Sequence, residues 1–227
     1  GIDLINANDF SDDKAIEKKL NIDLLKPIII FTQHSVSNKY NLVEKQLKPA
    51  LDAIQKLSSE NEIQCLLTYP NNDAGGKKIF QILKNYASNN NNINVYQSLG
   101  RRNYWGLLNL AKKPNARVIC VGNSSSGIKE TPAFGCPVVN IGTRQLGRLK
   151  GNNVIDVDYE EMEIYNAIKK GLYDEDFRLV CRNCFNPYGI GDVGTKIVNV
   201  LSSVDLDDNL LTKKMTILGE EKEGWYR

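Results

Sequence analysis

The sequence predicts an α/β fold, a Rossmann-like parallel sheet with helices on both faces, and three observations carry that prediction. From residue 27 onward, apolar runs of strand length alternate with amphipathic stretches of helical period. The connections between them are short, as strand–helix–strand units packed in layers require. The 227 residues, 41% hydrophobic and 25% charged, match an average globular composition with ample core for one large domain or two small ones.

Residues 27–32 (PIIIFT) read as a buried strand. Residues 42–57 follow with Leu42, Leu47, Leu51, Ile54 and Leu57 on one helical face. Pro49 is a local complication that is expected to kink that helix. Residues 63–68 (IQCLLT) are a second strand and 77–86 a second helix; the Asn run at 89–92 reads as a surface loop. The alternation continues through 93–96, 104–111, 117–121, 126–134 and 137–141, and ends with 154–157, 160–171 and 194–201. Residues 1–26 and 205–227 are more polar and are expected to be a connector or packing arm and a tail around a lobe at 27–204.

Several classes are excluded at this level. With 29 Lys+Arg against 27 Asp+Glu, charge makes no case for nucleic-acid or membrane-surface binding. No apolar run approaches the ~18–20 residues of a transmembrane helix. The start, GIDLINANDF, lacks the basic flank and apolar stretch of a signal peptide, and the absence of an initiator Met marks Gly1 as a processed end or the start of a fragment. Five cysteines, an odd number, fit a reducing cytoplasmic setting. Cys181 and Cys184 form a CxxC, but no second CxxC or His pair completes a zinc set, and His34 is the single histidine. The inert reading of that pair is preferred, and no metal is expected.

In a parallel α/β sheet, ligands bind in loops at the carboxyl ends of the strands. Thr32, Gln33, His34 and Ser35 follow the first strand, and Tyr69 to Gly76 the second. Gly122-Asn123-Ser124-Ser125-Ser126-Gly127 follows the 117–121 strand, and Gly142-Thr143-Arg144 the 137–141 strand. All four loops therefore share one edge and one cleft. The GNSSSGIKE segment suits an anion, because small residues at a helix start leave backbone N–H groups free and the helix dipole favours negative charge. Ser124, Ser125 and Ser126 can donate hydroxyls to phosphate, and Glu130 can accept both hydroxyls of a ribose. The alternative is a serine N-cap with an acidic partner, although Ser126 to Lys129 is the box spacing and Glu130 is off by one. Arg144 can pair with phosphate or brace Glu130. Gly189 to Gly194 matches GxGxxG but does not follow a strand, so it reads as a turn before a helix. The cleft has few carboxylates, Asp73 and Glu130, and no acid–base pair flanking a substrate carbon is evident.

Four segments carry a resemblance: TQHSV at 32–36, YPNNDAGG at 69–76, GNSSSGIKETPAFGCPVVNIGTRQLGR at 122–148 and NPYGIGD at 186–192. Together they resemble the UDP-N-acetylglucosamine 2-epimerases over residues 1–201, most closely the hydrolysing branch, which makes N-acetylmannosamine and UDP at the start of sialic acid synthesis. The resemblance implies the second, nucleotide-binding lobe of a two-lobed GT-B architecture (UDP-glycosyltransferase/glycogen phosphorylase-like). It also implies that the N-terminal lobe, which supplies carboxylates acting on the sugar, is not represented. By position it implies a catalytic role for His34, and UDP contacts for Asn71, Asp73, Leu99 (through its backbone), Ser124, Ser125, Glu130 and Arg144. It further implies UDP-GlcNAc and UDP as ligands, no cofactor, a homo-oligomeric full enzyme and a cytoplasmic location. Two alternatives stand beside it: a stand-alone nucleotide-sugar binding module and a GT-B glycosyltransferase lobe.

Overall fold

The computed structural model describes residues 1–90, 92–212, 221–222 and 225–226. Its centre is one sheet of six parallel strands: β1 (Ile28–Thr32), β2 (Gln64–Thr68), β3 (Ile93–Tyr96), β4 (Val118–Gly122), β5 (Val138–Ile141) and β6 (Val154–Val157). Every expected strand is present, with ends within one residue of those read from the sequence. The spatial order is β3-β2-β1-β4-β5-β6. The helices are α1 (Ile2–Asn6), α2 (Asp13–Leu20), α3 (Val43–Glu60), α4 (Gly76–Ser88), α5 (Arg101–Asn109), α6 (Ser126–Lys129), α7 (Glu161–Tyr173), α8 (Glu175–Arg182) and α9 (Val193–Ser203), followed by a single turn, Asp208–Leu211.

Alternate residues of each strand point to opposite faces, so two helical layers are needed. On one face Ile29, Phe31, Cys65, Leu67, Ile119 and Val121 pack with Leu47, Ile54 and Leu57 of α3, Ile79 and Leu83 of α4, and Ile164 and Ile168 of α7. On the other, Ile28, Ile30, Leu66, Val118 and Cys120 pack with Ile16 and Leu20 of α2 and with Trp105, Leu107 and Leu108 of α5. Burial on both faces explains why these strands read as continuous apolar runs. Helix α3 runs through Pro49 without a break.

The chain divides into two compact units, Gly1–Gly191 and Asp192–Arg227. The sequence placed a lobe at 27–204; the first unit instead includes residues 1–26, and α9 lies in the second. Residues 1–26 carry α1 and α2, whose Ile5, Ile16 and Leu20 are buried, as is Ile22 after them. The α2 contact with α5 depends on Gly106, where a Cβ would lie 2.5 Å from the Ser11 carbonyl oxygen and 2.6 Å from Ile16 Cδ1. α1, α2 and α8 lie outside the expected alternation. A side-chain cap marks two of them: Asp12 Oδ1 accepts from Ala15 N at 2.9 Å at the start of α2, and Asp174 Oδ1 from Phe177 N at 2.9 Å at the start of α8, whereas α1 has none. The helical stretch expected at 126–134 is shorter than its pattern suggests. It breaks into the single turn α6 and a 3₁₀ turn, Thr131–Phe134, because Pro132 has no N–H to give and disfavours helical backbone at the residue before it.

The strand order positions the site. The chain runs outward from β1 to β3, returns to lay β4 against the other side of β1, and continues outward to β6. Loops leaving β1 and β4 therefore diverge, and a crevice opens between them at the carboxyl edge.

Candidate functional site

An open cavity of about 410 Å³ occupies that edge, lined by residues after β1 (Thr32, His34), β2 (Thr68, Tyr69), β3 (Gln97 to Arg101) and β4 (Ser124, Ser126, Glu130), with Tyr104 and Trp105 of α5. The close approach of β4 to β1 beside it requires Gly122. This residue sits at φ +124°, and a Cβ there would lie 2.0 Å from the Thr32 carbonyl oxygen. No L side chain fits a strand-to-strand approach that close.

Asn123 ties the two diverging loops together. Its side chain is fully buried; Oδ1 accepts from His34 N at 2.8 Å and Nδ2 donates to His34 O at 2.9 Å. Its own N–H donates to the Thr32 carbonyl at 3.1 Å. Its carbonyl accepts from Arg144 Nη1 at 3.0 Å and from the buried Gln145 Nε2 at 2.7 Å. The amide side chain thus extends the β1–β4 pairing past the end of both strands, while the backbone carbonyl of the same residue draws in the loop after β5.

His34 is held in one protonation state by its surroundings. The Asn71 backbone N–H donates to Nδ1 at 3.1 Å, so the neutral ring carries its proton on Nε2. Burial first, and the Arg144 charge second, push the imidazole pKa down to about 4 against the opposing effect of Asp73. At neutral pH the ring is therefore uncharged and donates from Nε2.

The serine loop follows. Ser124 Oγ and Ser126 Oγ are 3.1 Å apart, and Tyr104 Oη is 2.9 Å from Ser126 Oγ, giving a run of three hydroxyls. Among the described residues, the backbone N–H groups of Ser124 and Ser125 donate to no protein acceptor. With α6 a single turn, these loop amides and hydroxyls, rather than a long helix dipole, are what an anion would meet. The serine-cap alternative is not realised: Ser125 occupies the N-cap without a side-chain bond. Glu130 Oε2 instead accepts from Trp105 Nε1 at 2.5 Å, and Arg144 does not brace it.

Four of the eight residues named from the sequence line this cavity together: His34, Leu99, Ser124 and Glu130. Leu99 is buried, and its carbonyl already accepts from Asn103 Nδ2 at 2.6 Å, leaving one lone pair and the N–H. Ser125 lies beside Ser124 at the start of α6. Arg144 stands behind the Asn123 carbonyl, within electrostatic reach of His34 and Asp73. Asn71 and Asp73, bonded to each other through Nδ2 and Oδ2 at 2.5 Å, line an adjacent depression with Tyr69, Lys77 and Phe80. Asn71 reaches the main cavity through His34. Asn123, Gln145, Tyr104 and Trp105 were not singled out from the sequence. Asn123 lay inside a loop read for its serines, and the two aromatics lay on a helix read as core.

The GxGxxG match has the geometry of a turn. Gly189 and Gly191 take φ +94° and +103°, and the Ile190 carbonyl accepts from Asn6 Nδ2 at 2.8 Å, so this turn packs against α1. In the CxxC, Cys181 is buried at the end of α8, and burial pushes its thiol up to about 12. Among the described residues, no group of three or more His, Cys, Asp or Glu is placed to hold a metal ion, and no helix is long and apolar enough to cross a membrane.

Residues 1–202 match the family model described as UDP-N-acetylglucosamine 2-epimerase. A Campylobacter jejuni protein named GDP/UDP-N,N'-diacetylbacillosamine 2-epimerase (hydrolyzing) is 33% identical over 161 residues, 70% of this chain and 40% of that one. A Legionella pneumophila protein named UDP-N,N'-diacetylbacillosamine 2-epimerase (hydrolyzing) is 29% identical over 215 residues, 94% of this chain and 52% of that one. Among solved structures, the UDP-GlcNAc 2-epimerase from Neisseria meningitidis bound to UDP-GlcNAc superimposes with a TM-score of 0.59 at 19% identity, over 84% of this chain and 48% of that one. The chain thus spans about half or less of the length of the proteins it matches.

Proposed function

This chain belongs to the UDP-N-acetylglucosamine 2-epimerase family, and from that premise we propose that it is the UDP-binding lobe of a hydrolysing 2-epimerase acting on UDP-N-acetylglucosamine. The observation that supports this most is that Ser124 and Glu130 line one switch-point cavity, with the backbone N–H groups of Ser124 and of the adjacent Ser125 uncommitted. Together they offer N–H and O–H donors for a diphosphate and an acceptor pair for a ribose.

In the proposed reaction, a base takes the C2 proton as the C1–O bond breaks, its electron pair leaving with UDP. The product of that step is a glycal-like intermediate. Water then adds its oxygen to C1, and a proton returns to C2 on the opposite face, giving N-acetylmannosamine and UDP. The task of this lobe is to hold UDP and to stabilise the charge gathering on the departing phosphate with donors already in place. His34, uncharged and donating from Nε2, contributes a hydrogen bond without adding a second positive charge beside Arg144. The carboxylates that act on the sugar are assigned to the part of the family fold that this chain does not cover.

Calorimetric titration of UDP, with UMP and GDP as controls, tests the assignment. Micromolar binding selective for UDP is expected; a folded chain that binds none of the three, or all of them equally, removes it. A second substrate reading is favoured by the names of the two relatives at 33% and 29% identity, both diacetylbacillosamine epimerases. In that case the sugar carries a further acetamido group, and the uridine side of the site is unchanged. Comparing release of UDP from the two nucleotide sugars by a full-length protein separates the readings.

A further inference from the structure

Glu130 is the carboxylate that the nucleotide assignment places on the ribose, and its side chain is not free to choose its orientation. Trp105 Nε1 donates to Glu130 Oε2 at 2.5 Å, and Oε1 makes no hydrogen bond among the described residues. The indole is fixed on its other sides. It is only 4% exposed, and the Arg101 guanidinium lies over its ring at 5.0 Å from the centroid. Arg101 is held in turn by Asp9, Nη2 to Oδ2 at 2.5 Å. Glu130 itself sits at the junction of the single turn α6 and the 3₁₀ turn Thr131–Phe134. One carboxylate oxygen is therefore pinned by a rigid donor, the other makes no hydrogen bond among the described residues, and both residues line the cavity.

Resting on the nucleotide assignment above, we infer that Trp105 is a positioning residue that aims Glu130 at the ribose diol and thereby sets the preference for a ribonucleotide over its 2'-deoxy form. A glutamate side chain has three rotatable bonds, and a ligand contact made with an already immobilised carboxylate does not lose that freedom on binding. A two-point contact to vicinal hydroxyls depends on orientation more than a single contact does. Removing the indole N–H should thus weaken what the 2'-hydroxyl contributes and leave the diphosphate contacts alone. A purely structural role, filling the core beside Leu107 and Leu108, gives no reason for the effect to depend on one hydroxyl of the ligand.

The experiment titrates UDP and 2'-deoxy-UDP into the whole chain, as wild type and as W105F, with folding checked by circular dichroism. In the wild type, UDP is expected to bind more tightly than 2'-deoxy-UDP. In W105F the UDP affinity should fall on the order of three- to tenfold, the range of one ordinary hydrogen bond, since the contact to the ribose is loosened rather than removed. The 2'-deoxy-UDP affinity should change less than about twofold, so that the preference collapses. In an E130A background, W105F should change UDP affinity less than about twofold, since the two residues act as one unit. If W105F keeps the wild-type ratio, the positioning role is wrong and the nucleotide assignment stands. If the wild type binds neither nucleotide at millimolar concentration, the nucleotide assignment fails and the inference fails with it. Should W105F not fold, 3-benzothienylalanine at position 105 retains the bicycle without the N–H and serves the same comparison.

Discussion

Two glycine-rich segments of this chain look alike as strings and differ as structures. Gly122 to Gly127 leaves a central parallel strand at the β1–β4 switch point, with Gly122 pressed against the neighbouring strand and the Ser124 and Ser125 amides uncommitted. Gly189 to Gly194 matches a nucleotide fingerprint better, yet Gly189 has nothing within 4 Å of a Cβ position, and the turn is occupied with α1. The comparison teaches that a glycine pattern carries chemistry only when a strand edge presents it.

The sharpest test of that contrast is alanine at each glycine. G122A forces a Cβ into the Thr32 carbonyl at positive φ, and the expected loss of stability is large, roughly 3–5 kcal/mol, enough to unfold many domains. G189A meets only the backbone cost of φ +94°, about 1 kcal/mol. Chemical denaturation of both variants checks this, and comparable losses would erase the distinction. N123A comes next. It strands the His34 backbone N–H and carbonyl without their amide partner, and an expected loss of about 2–3 kcal/mol reflects buried groups left unsatisfied. A third test concerns ligand rather than stability. E130A is expected to weaken UDP at least about tenfold, about 1.4 kcal/mol, whereas G189A leaves it unchanged. Equal UDP affinity for E130A and wild type in calorimetry would remove the ribose contact.

The last test is in pH. His34 titrates near 4 in the folded chain against about 6.5 when unfolded, so the unfolded state binds the extra proton first. Its contribution to stability is complete above about pH 6.5 and declines as pH falls through the window down to about 4. H34Q should flatten that part of the stability–pH curve. An unchanged slope would show that the ring is not held neutral.

The six strands were legible because parallel strands buried on both faces are continuous apolar runs, and strand ends then locate the ligand edge. His34, Ser124 and Glu130 could be placed there because each lies within a few residues of a strand end or the turn that follows. Trp105 and Asn123 could not. Trp105 is as apolar in pattern as its neighbours Leu107 and Leu108, and only the fold brings its N–H to a carboxylate on a different loop. Asn123 acts through both ends of its amide on a backbone segment remote in sequence. α2 and α8 are short and largely polar, and their aspartate caps mark where they begin.

The pairing of Ile28 with Val118 and of Thr32 with Gly122 also bears on how the chain acquires its shape in time. β1, β2 and β3 can pair through successive short-range crossovers as they are made, whereas the crevice waits for β4, whose contacts with β1 close a loop containing all of α3, α4 and α5. Long-range parallel pairing is slow because chain entropy is lost before contacts compensate it. Ligand competence should therefore emerge with the slowest phase of refolding, after most of the helical signal has already returned.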